Sequence, residues 1–322
     1  MATSPSALSV LTFGEAMGML VADTPGPLAG VEHFHRRLAG ADNNVAIGLA
    51  RLGFKVSWMS RVGRDSMGEF IRHTLTSEDI DDRYIQTDPA HPTGLMFKER
   101  AENGADPRVE YFRRGSAASH LCPADAQAID FAALDHLHAT GITPALSPSA
   151  LALTRELMQR ARAAGATISF DPNLRPTLWP SEAVMRETLN ELASLADWVL
   201  PGLAEGRLLT GEETPEAIAD VYLARGTKGV IIKLGPEGSY YRGRLGATLE
   251  SCEVPGKPVA QVIDTVGAGD GFAVGAISAL LEGLSPEQAL RRGNLIGAEA
   301  VQVVGDMEGL PTRARLQALE NA

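Results

Sequence analysis

Short apolar runs that alternate with helix-period segments constrain this chain more than any other feature. LSVLTFG (8–14), VSWMSRVG (56–63), TISFD (167–171), DWVLPG (197–202) and GVIIKLG (229–235) each read as a buried strand. Helical patterns lie among them. DNNVAIGLARLG (42–53) puts Val45, Leu49 and Leu52 on one face and stops at Gly53. Ser147-Pro148 offers a cap and a first-turn proline for a helix through Leu157 and Met158, which Gly165 ends. Ser285-Pro286-Glu287-Gln288 has capping-box spacing before another helix. Strands that alternate with helices join through crossovers, so the pattern predicts a mostly parallel sheet with helices on both faces. A length of 322 residues is ample for one large α/β core.

Two stretches break the rhythm. EAMGMLVADTPGPLAG (15–30) is one. In the other, GLMFKER and RVEYFRR flank the turn-rich ENGADP (102–107), which reads as a β-hairpin with a charged face. Together they are expected to form a small sheet beside the main one, or else two plain surface hairpins. The net charge of −11 argues against general binding to nucleic acid or to anionic membranes. The two cysteines, Cys122 and Cys252, form no CxxC pair, which fits a reducing compartment. The N-terminal apolar stretch is too short for a signal, and no run reaches membrane-spanning length, so a cytoplasmic protein is expected. His33/His35 and His136/His138 could each face one way on a strand, but neither pair has a third ligand at metal spacing.

The segment DTVGAGDGF (264–272) carries the chemistry. Its glycines follow apolar Val262-Ile263 and precede a helix on which Phe272, Ala276, Ile277 and Leu280 share a face. A helix N-terminus holds unpaired N–H groups and the positive end of the dipole, which together make an anion site. Asp270 stands there either as a cap or as a base. The chain has no Walker-type loop and no dinucleotide fingerprint. An anion site with a carboxylate beside it suits phosphoryl transfer to an alcohol, in which the amides hold developing charge and the carboxylate takes the hydroxyl proton.

DTVGAGDGFAVG resembles the C-terminal motif of the PfkB (ribokinase-like) carbohydrate kinases. AGADNNVAIGLARLG (39–53) with RVGRDSMG (61–68) resembles that family's N-terminal motif, and the likeness runs from about Leu11 to Pro311. It implies a three-layer α/β/α sandwich over 1–322 with an inserted β lid from about 14–38 and 91–116. By the resemblance, Asp270 is the catalytic base and Gly267, Ala268 and Gly269 form the anion hole. Lys233, Gly235, Asp264, Thr265 and Asn294 are assigned to the nucleotide, with Asp264 and Thr265 also shaping a monovalent-cation region where K+ is an option. Glu205 is assigned to Mg2+ through water. The chain departs from the family here, since Gly202 stands where an asparagine is usual. ATP and Mg2+ are the implied cosubstrate and metal, and a dimer paired through the lids is expected.

By the same resemblance, the sugar side is expected to rest on Gly40, Asn43, Met96, Tyr111, Arg113, Ile142 and Arg175, with Asp270. Asn43 and Asn44 open a helix and suit a polyol, or serve with Asp42 as caps. Two arginines facing one pocket would suit a carboxylate, because the guanidinium binds it bidentately. The alternative is that Arg113 and Arg175 pair with acids such as Glu110 or Asp171. The set resembles the branch of the family that phosphorylates 2-keto-3-deoxygluconate, a six-carbon keto acid, at O6. Met96 departs from a common tyrosine. Fructose is the alternative substrate, and a sugar-acid sensor without transfer activity is the alternative class.

Overall fold

The computed structural model describes residues 7–100, 107–245 and 248–321. In chain order the elements are β1 (Ser9–Phe13), β2 (Met17–Ala22), β3 (Phe34–Ala39), α1 (Ala41–Arg51), β4 (Lys55–Gly63), α2 (Ser66–Ser77), β5 (Ile85–Asp88), β6 (Leu95–Lys98), β7 (Val109–Phe112), β8 (His136–Thr140) and α3 (Pro148–Ala164). They continue with β9 (Thr167–Asp171), α4 (Glu182–Ala193), β10 (Trp198–Val199), α5 (Leu203–Thr210), α6 (Pro215–Ala224), β11 (Gly229–Lys233), β12 (Gly238–Leu245), β13 (Thr248–Pro255), α7 (Ala268–Leu281), α8 (Pro286–Ala300) and α9 (Arg313–Glu320). No described helix is long and apolar enough to cross a membrane.

The large sheet runs β13-β12-β11-β10-β9-β8-β1-β4-β5. Its pairs are parallel from β11 to β5, whereas β11–β12 and β12–β13 at the other edge are antiparallel. Alternation along each strand feeds two helix layers. Leu11, Phe13, Val230 and Ile232 pack with α3, α4 and α6, whereas Val10, Val56, Trp58 and Ile231 pack with α1, α2, α7 and α8. The apolar run at 197–202 yields only a two-residue strand. Pro201 has no N–H to continue the ladder.

The local signals behave as their chemistry requires. Ser147 accepts a hydrogen bond from the Ala150 N–H, and Ser285 accepts from Gln288 while the Gln288 side chain returns to the Ser285 N–H. Gly165 takes φ +87°, the left-handed conformation that closes α3.

A second sheet of four strands, ordered β3-β2-β6-β7, brings together both stretches that break the βα rhythm. Met17, Met19, Val21, Ala39 and Met96 form its buried face. The expected turn at 102–107 lies largely outside the described residues. Strand β1 leads to β4 on one side, and β8 returns on its other side. Such a reversal of strand order leaves a crevice at the carboxyl ends of the strands. The small sheet borders that crevice.

Candidate active site

The crevice is a cavity of about 420 Å3. One wall is the start of α7. Gly267 caps the helix at φ +84°, and no side chain caps it, so the first-turn N–H groups have no helical acceptor. A Cβ on Gly267 would stand 2.5 Å from the Asp306 carbonyl oxygen, so only glycine fits this turn. Gly267, Gly269, Thr265 and Asp270 line the cavity, while Ala268 does not.

Packing between α1 and α7 sets the next contact. Gly48 lets Val274 approach so closely that a Cβ there would lie 2.4 Å from its methyl group. One turn earlier on each helix, the Asn44 amide donates to Asp270 Oδ2 at 2.8 Å. Burial pushes Asp270 up to about 6, with Asp171 and Asp306 adding to the rise and the Asn44 bond and Lys233 opposing it. Asp42, in the first turn of α1, is pushed up to about 7, mainly by burial and also by the Asp270 charge, against the hydrogen bonds from Thr140 and Thr143. Its Oδ1 has no hydrogen-bond partner among the described residues. A carboxylate with a value near neutrality can take a proton and give it up again at working pH.

Lys233 stands close to the start of α7. Its Nζ lies 2.6 Å from Asp171 Oδ2 and would be 3.7 Å from a Cβ on Gly269. Burial works against the charge, but Asp171, Glu205 and Asp270 outweigh it and hold Lys233 above the usual lysine value. Glu205 accepts from the Leu174 N–H and the Gly202 N–H, each at 2.7 Å. The backbone of Gly202 thus orients the acid where an asparagine side chain was expected. Among the described residues, no group of three or more His, Cys, Asp or Glu is arranged to grip a metal ion. Glu205 lines the cavity, and a single carboxylate suits Mg2+ that arrives on nucleotide phosphates and keeps its waters.

On the sugar side, Gly40, Met96, Tyr111, Arg113, Ile142 and Arg175 all line the cavity. Gly40 has φ +146°, and a Cβ there would collide with Asn43 Oδ1 at 2.1 Å. Arg113 does not pair with Glu110 or Asp171. Its Nε donates to Glu15 Oε2 at 2.6 Å and its Nη2 contacts the same oxygen, while Ser116 donates to the other. Glu110 pairs with Arg108 and Asp171 with Lys233. Arg175 donates to the Leu174 carbonyl at 2.8 Å and has no carboxylate partner among the described residues.

Four further expected residues stand off the cavity. Asn43 is buried beside Asn44, with its Oδ1 unpartnered among the described residues. Gly235 turns the chain after β11 at φ +64°. Asn294 donates to the Val254 and Pro255 carbonyls and ties α8 to β13. Asp264 is buried against Lys98, whose Nζ lies 2.6 Å from Asp264 Oδ2 and 3.3 Å from Asp306 Oδ1. Conversely, Glu15, Asp42, Lys98, Asn173 and Asp306 line the cavity without having been assigned to it from sequence, and Asn44, read with Asn43 as suiting a polyol, lines it too. Asn173 lies in the segment DPNLR (171–175), where it takes φ +37°. His136 and His138 are core residues that share the Ser169 hydroxyl; burial pushes both down to about 3.

Residues 7–313 match the model of the pfkB family carbohydrate kinase. The chain is 52% identical over 317 residues to the 2-dehydro-3-deoxygluconokinase of Bacillus subtilis (strain 168), covering 98% of this chain and 96% of that protein. A putative ribokinase II from E. coli in complex with ATP and Mg2+ superposes with a TM-score of 0.88 at 28% identity, covering 98% and 99% of the two chains. A fructokinase double mutant from Vibrio cholerae O395 in fructose, ADP and potassium ion bound form superposes at 0.85, also at 28% identity, covering 98% and 99%.

Proposed function

Because the chain belongs to the pfkB family of carbohydrate kinases, we propose that it transfers the γ-phosphoryl group of ATP to the O6 hydroxyl of 2-keto-3-deoxygluconate. One observation carries the reading. A single cavity is lined by Asp270, by the open N-terminus of α7 and by Arg175, which has no carboxylate partner among the described residues. The 2-dehydro-3-deoxygluconokinase relative supports the same substrate.

The small sheet acts as a lid over the sugar. Arg175 receives the substrate carboxylate and turns the terminal hydroxyl towards Asp270. Asp270 accepts the hydroxyl proton as the sugar oxygen bonds to the γ-phosphorus and the bond to the ADP oxygen breaks. First-turn N–H groups at Gly269 and Asp270 hold the charge that develops on the transferred group, with Lys233 at the same end. Glu205 would hold Mg2+ through water, and the ion would neutralise phosphate charge. Thr265 lies beside the nucleotide phosphates.

Fructose is the second reading. The Arg113–Glu15 pair favours it, because one of the two guanidinium groups expected for a carboxylate is already neutralised. ADP release from MgATP with equal concentrations of the two sugars separates them. A kcat/KM advantage of about 100-fold for the keto acid, roughly 2.7 kcal/mol, is expected. Arg175→Ala should raise KM for the keto acid far more than for fructose. A preference for fructose, with equal effects of Arg175→Ala on both sugars, would remove the carboxylate assignment.

A further inference from the structure

Two carboxylates lie against the glycine loop, each nearly excluded from water. Asp264 is 2% exposed and Asp306 is 5% exposed. Asp264 Oδ1 accepts from the Val266 N–H at 3.1 Å, and the Asp306 backbone packs directly on Gly267. Both acids therefore brace the turn that presents the first-turn amides. Two buried negative charges at one loop demand a cation, because desolvation and mutual repulsion would otherwise open the turn.

That cation is a side chain of the chain itself. Lys98 is 1% exposed, and its ammonium touches both acids. It comes from β6 of the small sheet, two residues beyond Met96 on the same face, and both residues line the cavity. A potassium ion is bound in the fructokinase from Vibrio cholerae. In this chain the acid whose motif resembles the cation region already has an ammonium at 2.6 Å. The residues present do not fit a free monovalent cation at that oxygen.

We propose that Lys98 is the built-in monovalent cation of the glycine loop, a positioning residue that holds Asp264 and Asp306 so that nucleotide binding and turnover need no potassium. The tethered ammonium supplies the same single charge, and the small sheet delivers it. The inference rests on the reading of the loop as the phosphoryl site.

The test compares potassium chloride with tetramethylammonium chloride at equal ionic strength. ADP affinity is measured by calorimetry without sugar, and ADP release from MgATP is measured with it. The native protein should show the same ADP affinity and kcat/KM in both salts, within about two-fold. Lys98→Ala, which empties the position, should lose about 100-fold in kcat/KM. Potassium, but not tetramethylammonium, should restore about ten-fold or more and tighten ADP by a similar factor. Lys98→Arg keeps the charge and should stay indifferent to potassium. A native protein that loses about ten-fold in ADP affinity without potassium overturns the inference. So does a folded Lys98→Ala that potassium does not rescue. Should that variant fail to fold, the native comparison still decides. Unchanged ADP affinity in both salts with no turnover of any sugar counts against the kinase reading alone.

Discussion

Replacing Asn44 with leucine removes a side-chain hydrogen bond to Asp270, 2.8 Å long on Oδ2. The bond favours the charged carboxylate, so its loss raises the Asp270 pKa from its value of about 6. A hydrogen bond to a charged group is worth ~1.5–3 kcal/mol, and cavity water replaces part of it, which leaves ~1.4 kcal/mol or about one pH unit. Asp270 must be ionised to accept the hydroxyl proton, so kcat/KM falls as pH drops through its pKa. The acid limb should sit near pH 6 in the native enzyme and about one unit higher in Asn44→Leu. At pH 6 the ionised fraction drops from about half to about a tenth, so the variant should lose about five-fold there and nothing above about pH 9. The assay is the pH profile of kcat/KM by coupled ADP release, run on both proteins in the same buffers. Titration of the nucleotide is common to both and cancels in the difference. An acid limb at the same pH in the two enzymes would refute the electrostatic role of Asn44. A native limb below about pH 5 would refute the raised value of Asp270.

Asp270→Asn should abolish turnover while sugar binding persists, as calorimetry can check, and a variant that keeps near-normal kcat removes the base assignment. The same change should stabilise the fold. The folded value of about 6 lies above the ordinary 3.8, so the ionised form costs stability above pH 6 and the cost fades as pH falls towards 4. Asp270 is partly open to the cavity, so the gain at pH 7.5 should be about 1–3 kcal/mol in urea titrations and absent near pH 4. Asp42 is fully buried with a value of about 7, so Asp42→Asn should raise stability by about 2–4 kcal/mol above pH 8, with no gain at pH 3.5. Gly267→Ala forces a side chain into φ +84° against the Asp306 carbonyl; it should cut kcat by about 100-fold or more with a smaller change in ADP affinity, and unchanged kcat would dismiss the turn as an anion site.

The parts of this protein that could be read along the chain are those governed by near neighbours. Ser147, Ser285 and Gly165 bound their helices through hydrogen bonds to residues a few positions away. The glycine loop announces a helix N-terminus because its turn and its acid lie within one short segment. The apolar runs declare burial on two faces, and the failure at 197–202 comes from a proline whose effect on the ladder is also local.

Partnerships between charges are a different matter. Nothing near Arg113 in the chain shows that it will meet Glu15, 98 residues away, and nothing near Lys98 points to Asp264, 166 residues away. The first pair exists because β2 and β7, which Glu15 and Arg113 flank, lie in one small sheet, and the second because that sheet is laid beside the glycine loop; both are properties of the folded topology. The choice between Asn43 and Asn44 is subtler. Each step along a helix turns the side chain by about 100°, so adjacent asparagines point to different surroundings. The contact between Gly48 and Val274 sets the rotation of α1 against α7 and delivers Asn44, not Asn43, to Asp270. The sequence by itself determined which groups the site could draw upon and where the helix start that holds an anion would lie. Only the tertiary structure decided which charges remain free to meet a substrate, because pairing through space depends on distances that packing alone sets.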